Sequence, residues 1–157
     1  MLPCVSLVFA LTLECNSTQA RCIADVVNPN ETDLAKAEVK RAVANSAAVF
    51  VGHVTAIEYV PARTEFGDGE MLVIRMTVRN WWKGVEGQDV WLNTANYRYS
   101  DGTMSSEAHD YPYQLGKTYL VYANATRDGL HASVCTRTKP VELATEDVAI
   151  LDGLKRN

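Results

Sequence analysis

Residues 72–79 read Leu72-Val73-Ile74-Arg75-Met76-Thr77-Val78-Arg79, and this stretch decides the fold class. In an extended chain Leu72, Ile74, Met76 and Val78 point one way, and Val73, Arg75, Thr77 and Arg79 the other. One face is apolar and one is wet, which suits an antiparallel sheet better than a parallel one covered on both sides. Register has little freedom, because a slip of one residue would bury two arginines.

Working outward, Val49 to Tyr59 reads as an earlier strand. Its Gly52 sits mid-strand, where glycine marks a bend, a bulge or a close approach. Pro61 to Glu70 is expected to be a polar loop turning at Gly67-Asp68-Gly69. Trp81-Trp82-Lys83-Gly84 ends the second strand, and Gln88 to Thr94 forms a third, with Val90 and Leu92 alternating against Trp91. Asn96 to Tyr113 has no period and reads as a long loop. Lys117 to Ala123 is a fourth strand, continuous and buried in character over Tyr119-Leu120-Val121-Tyr122-Ala123. Asp128-Gly129 supplies a tight turn, and Leu130 to Thr136 is expected to be the fifth strand, paired with the fourth. A helix capped by Thr32 or Asp33 precedes the strands, with Val39, Val43 and Ala47 in a thin apolar stripe beside Ala42. Thr145 can cap a last helix on which Val148, Leu151 and Leu154 share a face. Strands and helices do not alternate, so a parallel α/β sheet is excluded. The expected class is mainly β: a five-stranded Greek-key, OB-like barrel with an N-terminal and a C-terminal helix.

Composition narrows the function. The 157 residues are 47% hydrophobic and 22% charged, which excludes a disordered or collagen-like chain. With 15 Lys+Arg against 19 Asp+Glu the net charge is −4, a poor footprint for nucleic acid, which needs a basic surface. No apolar run reaches the length of a membrane span. Val5 to Leu13 (VSLVFALTL) has the length of a signal-peptide core, and the small polar stretch to Ala20 suits cleavage there. Residues 1–20 are therefore expected to be a signal peptide and 21–157 a single domain, extracellular or periplasmic. Of Cys4, Cys15, Cys22 and Cys135 that cleavage leaves Cys22 and Cys135. An even pair in an exported chain reads as one disulfide, with two free thiols as the alternative.

Chemistry-bearing motifs are scarce. His53, His109 and His131 are scattered over two strands and a loop. Glu107, His109 and Asp110 could gather a metal, but an acidic solvated loop is the better reading, and no metal or cofactor is expected. No nucleophile elbow or phosphate-cradling glycine loop is present, so the chain reads as a non-enzyme. Trp81, Trp82 and Trp91, with Tyr97 and Tyr99 clustered around the same strands, could form an aromatic face for a small ligand or glycan, against the plainer reading that they cover one end of the barrel.

Four segments occur together in order: Val49-Phe50-Val51-Gly52-His53-Val54, then Trp82-Lys83-Gly84, then Gly116-Lys117-Thr118-Tyr119-Leu120-Val121-Tyr122-Ala123. The last is Cys135-Thr136-Arg137-Thr138-Lys139-Pro140, followed by Ala144 and Asp147. As an ordered set they resemble the netrin-like, TIMP-like (tissue inhibitor of metalloproteinases) superfamily, in particular its bacterial exported members. The resemblance spans Ala48 to Leu151 and implies an OB-like barrel with flanking helices. It also implies a protein-binding edge at Cys22, Ile23 and Ala24. Animal members inhibit zinc metalloproteinases by placing the amine and carbonyl of a mature N-terminal cysteine on the enzyme's zinc. Two features depart from the family. The usual Cys-x-Cys start is Cys22-Ile23-Ala24 here, and the usual cysteine before the fourth strand is missing from Glu107 to Tyr111. One partner is lost from each place, which leaves Cys22 to pair with Cys135. Cleavage after Ala20 would leave Arg21 ahead of Cys22 and displace the amine. The leading expectation is thus an exported, non-enzymatic protein-binding module, a metalloproteinase inhibitor in its sharpest form, with a ligand- or glycan-binding barrel as the alternative.

Overall fold

A computed structural model describes residues 31–64, 67–85, 87 and 89–155. The signal-peptide segment 1–20 and the expected edge at Cys22, Ile23 and Ala24 lie outside the described residues. Helix α1 (Glu31–Asn45) is followed by strands β1 (Ala48–Thr64), β2 (Gly67–Lys83), β3 (Asp89–Tyr99), β4 (Met104–Ser105), β5 (Thr118–Thr126), β6 (Gly129–His131) and β7 (Lys139–Pro140). A short 3-10 turn (Val141–Leu143) and helix α2 (Thr145–Lys155) complete the described chain. The protein is mainly β with a helix towards each end, as expected.

Five strands close into a ring. β1 pairs with β2, β2 with β3 and β5 with β6, all antiparallel; β5 then returns antiparallel to β1. The remaining joint, β3 to β6, is parallel and rests on the single pair Leu92–Leu130. β4 lies on the far end of β3, and β7 pairs with β5.

Alternation sorts the strand side chains into two cores. Phe50, Val54, Ile74, Met76, Val90, Leu92, Tyr119 and Val121 form one buried cluster fed by the ring strands. Val49, Val51, Leu120 and Tyr122, on the opposite faces of β1 and β5, pack with Val39 of α1 and with Ala144 and Leu151 of the α2 region. The fourth strand of the sequence reads as continuously apolar because the ring lies on one side of it and the helices on the other. Gly52 is a close approach, as its position suggests. A Cβ there would lie 2.8 Å from Met76 Sδ and 2.9 Å from the Phe50 ring, and the β1–β2 register shifts beside it.

Several sequence expectations are corrected. Pro61 to Glu70 is not a loop: β1 and β2 run on as a ribbon, with Thr64 paired to Gly67. Asn96 to Tyr99 belongs to β3, and Met104–Ser105 pairs back onto it. Of the expected fifth strand, Leu130 to Thr136, only Leu130 and His131 are in β6, which starts one residue earlier at Gly129. The rest turns away, because Ser133 bridges to Asp110 and Thr136 N–H bonds back to Ser133 O at 3.1 Å. On β2, Ile74 and Met76 are in the core and Val78 packs against it, but Leu72 is only half-buried while Met71 and Val73 are buried. A shift in the β2–β3 register between Met71 and Val73 resets the alternation there.

Candidate functional site

Several of the motif residues, Trp82, Lys83, Gly84, Arg137 and Asp147, hold the helices to the ring. Trp82 Nε1 donates to Asp152 Oδ1 of α2 at 2.8 Å. Lys83 Nζ donates to the carbonyls of Val43 (2.8 Å) and Ala44 (3.3 Å). Both lie in the last turn of α1, where carbonyls run short of intrahelical donors; Val43 O also takes the Ser46 N–H at 3.3 Å. That turn carries no basic residue of its own, so β2 supplies the cation the helix dipole favours. Gly84 follows with φ +68°, and a Cβ there would lie 2.0 Å from Ala47 O. Only glycine fits both the conformation and the space.

Asp147 anchors the second clasp. Its side chain is 3% exposed and takes Arg137 in a fork, Nε to Oδ2 at 2.7 Å and Nη2 to Oδ1 at 3.1 Å. Lys139 Nζ (3.2 Å) and the Tyr122 hydroxyl (3.2 Å) also donate to it. Arg137 Nη1 reaches Glu38 of α1 at 2.7 Å. Burial alone would raise the Asp147 pKa, but the Arg137 hydrogen bonds and charge, helped by Lys139, outweigh it and hold the carboxyl below its usual range. Burial and the Asp147 charge push the Tyr122 hydroxyl the other way, so it stays a donor.

The three tryptophans do not form one face. Trp82 packs among the helix-side core. Trp81 is 44% exposed, with Lys155 Nζ 5.2 Å from its ring. Trp91 is equally exposed, pairs with Arg75 and lies under its guanidinium at 5.4 Å. Arg75 is six residues from Trp81 on β2, about 20 Å at the usual strand rise, so the two exposed rings cannot grip one small ligand. Asp89 accepts from Arg75 (3.0 Å) and Thr77 (3.0 Å), which lowers its pKa. Cys135 sits in an exposed turn and is engaged rather than free; Cys22, its expected partner, lies outside the described residues.

A site not anticipated from the sequence sits at the β3–β6 joint. Beyond Leu92 and Leu130 the two strands part, and an open cavity of about 220 Å³ occupies the gap. Next to it Asp110, with a side chain 9% exposed, holds His131 Nε2 at 2.8 Å. The other Asp110 oxygen accepts the Ala95 N–H (2.9 Å) and Asn96 Nδ2 (2.8 Å). An ionised carboxylate can only accept, so His131 donates from Nε2 and Nδ1 is left over. The described residues place no hydroxyl or thiol in hydrogen bond with His131, so the pair orients an imidazole without completing a nucleophile–base set. Asp110 and His131 are 21 residues apart, one in an irregular loop and one in a strand, and no spacing motif links them. The local signal was Glu107-Ala108-His109-Asp110, and it pointed to His109. Among the described residues no group of three or more His, Cys, Asp and Glu could hold a metal ion, and no helix is long and apolar enough to cross a membrane.

Comparison with family models and with curated proteins finds no match.

Proposed function

We propose that this chain is an exported, non-enzymatic protein-binding module of the TIMP-like, netrin-like type, built on an OB-like Greek-key barrel. The observation that carries the reading is the order of the ring. Three strands meander, the last ring strand (β6) lies parallel to the third (β3), and the fourth ring strand (β5) closes on β1. That order supports the OB-type reading of the ring. The ordered motif residues support it too, since Trp82, Lys83, Gly84, Arg137 and Asp147 all fix the helices against this ring. The partner is a protein, and in the sharper form a zinc metalloproteinase gripped through Cys22, Ile23 and Ala24. The compartment is extracellular or periplasmic. The alternative built on Trp81, Trp82 and Trp91 has less support, because one of the rings is spent on α2 and the other two stand apart.

Two measurements test the reading. Mass spectrometry of the secreted protein is expected to find Arg21 as the first residue and Cys22 bonded to Cys135. A loop of over a hundred residues closed this way would contribute about 4–5 kcal/mol on the chain-entropy account. Retention of residues 1–20, or two free thiols, would refute export and the pinned edge. Titration against a panel of zinc metalloproteinases then separates two forms of the chain. A form starting at Arg21 is expected to inhibit weakly or not at all, and one starting at Cys22 to inhibit better. Failure of both would remove the metalloproteinase and leave another protein as partner.

A further inference from the structure

The cavity at the β3–β6 joint has the chemistry of a sugar site. Its floor is apolar, with Met71 of β2 beside the Tyr97 ring. Tyr97 is backed by Tyr99, the two rings lying 6.5 Å apart and within 21° of parallel. The walls are polar: Asn93 on one side, Thr126, Asp128 and His131 on the other. Asn93 spends its amide nitrogen on the Asp128 carbonyl, which ties the walls together and leaves its amide oxygen as an acceptor. Burial first, and then the charges of Asp128, Asp110 and Glu107, raise the Tyr97 pKa, so its hydroxyl remains a donor in acceptor-rich surroundings.

Charge decides between ligands. Asp110 is already committed to His131, Ala95 and Asn96. The Asp128 carboxylate makes no hydrogen bond or ion pair among the described residues, so one acidic group is left unspent. A ring with an apolar C–H face and several hydroxyl donors satisfies both the apolar and the polar lining, whereas a polyamine would find only one free carboxylate. The volume is below the roughly 300–1,000 Å³ of pockets that enclose drug-sized ligands, so the occupant is a single ring-sized unit. We propose that this cavity binds one pyranose ring, stacked on Tyr97 and hydrogen-bonded by Asp128, Asn93 and His131. None of the three tryptophans lines this site.

The test is amide-shift mapping of the full secreted protein, isotopically labelled and titrated with the methyl pyranosides of glucose, galactose, mannose and N-acetylglucosamine. Sorbitol, which has hydroxyls but no ring, and putrescine, a diamine, serve as the comparison probes. At least one pyranoside is expected to give saturable shifts centred on Ala95, Tyr97, Asp128 and His131, with sorbitol and putrescine giving none there. Asp128→Asn is expected to weaken that pyranoside about tenfold, the loss of a charge-assisted hydrogen bond. The side chain it alters has no hydrogen-bond or ion-pair partner among the described residues, so unchanged thermal unfolding accompanies the loss. The proposal is overturned if no pyranoside in the panel binds, if the shifts centre elsewhere, if Asp128→Asn binds as tightly, or if sorbitol or putrescine binds the same site equally well.

Discussion

Ile74 and Arg75 are neighbours in the chain and opposites in environment. Ile74 is buried in the ring core, while Arg75 is exposed, paired to Asp89 and laid over Trp91. Ile74→Ala is expected to cost about 2–5 kcal/mol as a cavity mutation. Arg75→Ala should cost at most about 1 kcal/mol, since its ion pair is solvent-screened. Urea midpoints measured on both variants check this, and equal losses would show the face assignment to be wrong. Gly84 is constrained by backbone alone. At φ +68° a Cβ costs about 1–2 kcal/mol by itself, and here it would also strike Ala47 O. Gly84→Ala is therefore expected to exceed that range, because β2 or the end of α1 must shift. A midpoint within experimental error of the parent would contradict the close approach.

At the scale of elements, each helix is held by residues that belong to strands or to the segment between them. Lys83 of β2 terminates α1, Trp82 holds α2, and Arg137 spans both helices through Glu38 and Asp147. Asp147 carries the pH dependence of this arrangement. Its folded pKa is depressed below the unfolded value of about 3.9, so its stabilisation is complete above that value and is lost as pH falls through the folded pKa. Asp147→Asn is expected to destabilise the fold by about 3 kcal/mol at neutral pH. The gap between variant and parent should shrink as pH falls from about 4 towards 2, read from urea midpoints across that range. A gap as wide at pH 2 as at pH 7 would remove Asp147 from the account. The sequence made these elements legible unevenly. Both helices, the core of β2, β3 up to Thr94 and the doubly covered β5 follow from hydrophobic period, because burial on one or two faces writes itself into side-chain type. The ribbon from Pro61 to Glu70 does not. Its described residues, 61–64 and 67–70, are mostly polar, exposed or half-exposed, and interrupted by Pro61, Gly67 and Gly69, so they pair through backbone that the side chains do not advertise. Val134 to Thr136 fail in the opposite sense: they alternate like a strand but follow the Ser133 turn. The Asp110–His131 pair depends on where an irregular loop meets the end of β6, which no local pattern encodes.

For the whole molecule, two joints turn a sheet into a ring, and they are unequal. β1 meets β5 in a continuous run from Ala48–Ala123 to His53–Thr118, whereas β3 meets β6 at Leu92–Leu130 alone. Native-state hydrogen exchange should expose the difference. The amides of Gly129, Leu130 and His131 are expected to exchange through a local opening of low free energy, while those of Leu120, Val121 and Tyr122 wait for global unfolding. Uniform protection across the two groups would mean that the ring has no preferred place to open. The same inequality bears on the path into the native state. Closing the parallel joint brings together segments 38 residues apart, from Leu92 to Leu130, for the reward of one strand pair and the Asn93–Asp128 hydrogen bond, so it gains little until the hairpins on either side exist. The ring is then completed late and released early, a latch fastened after the rest of the sheet is in place. Anything bridging Asn93 and Asp128 across it would slow the release.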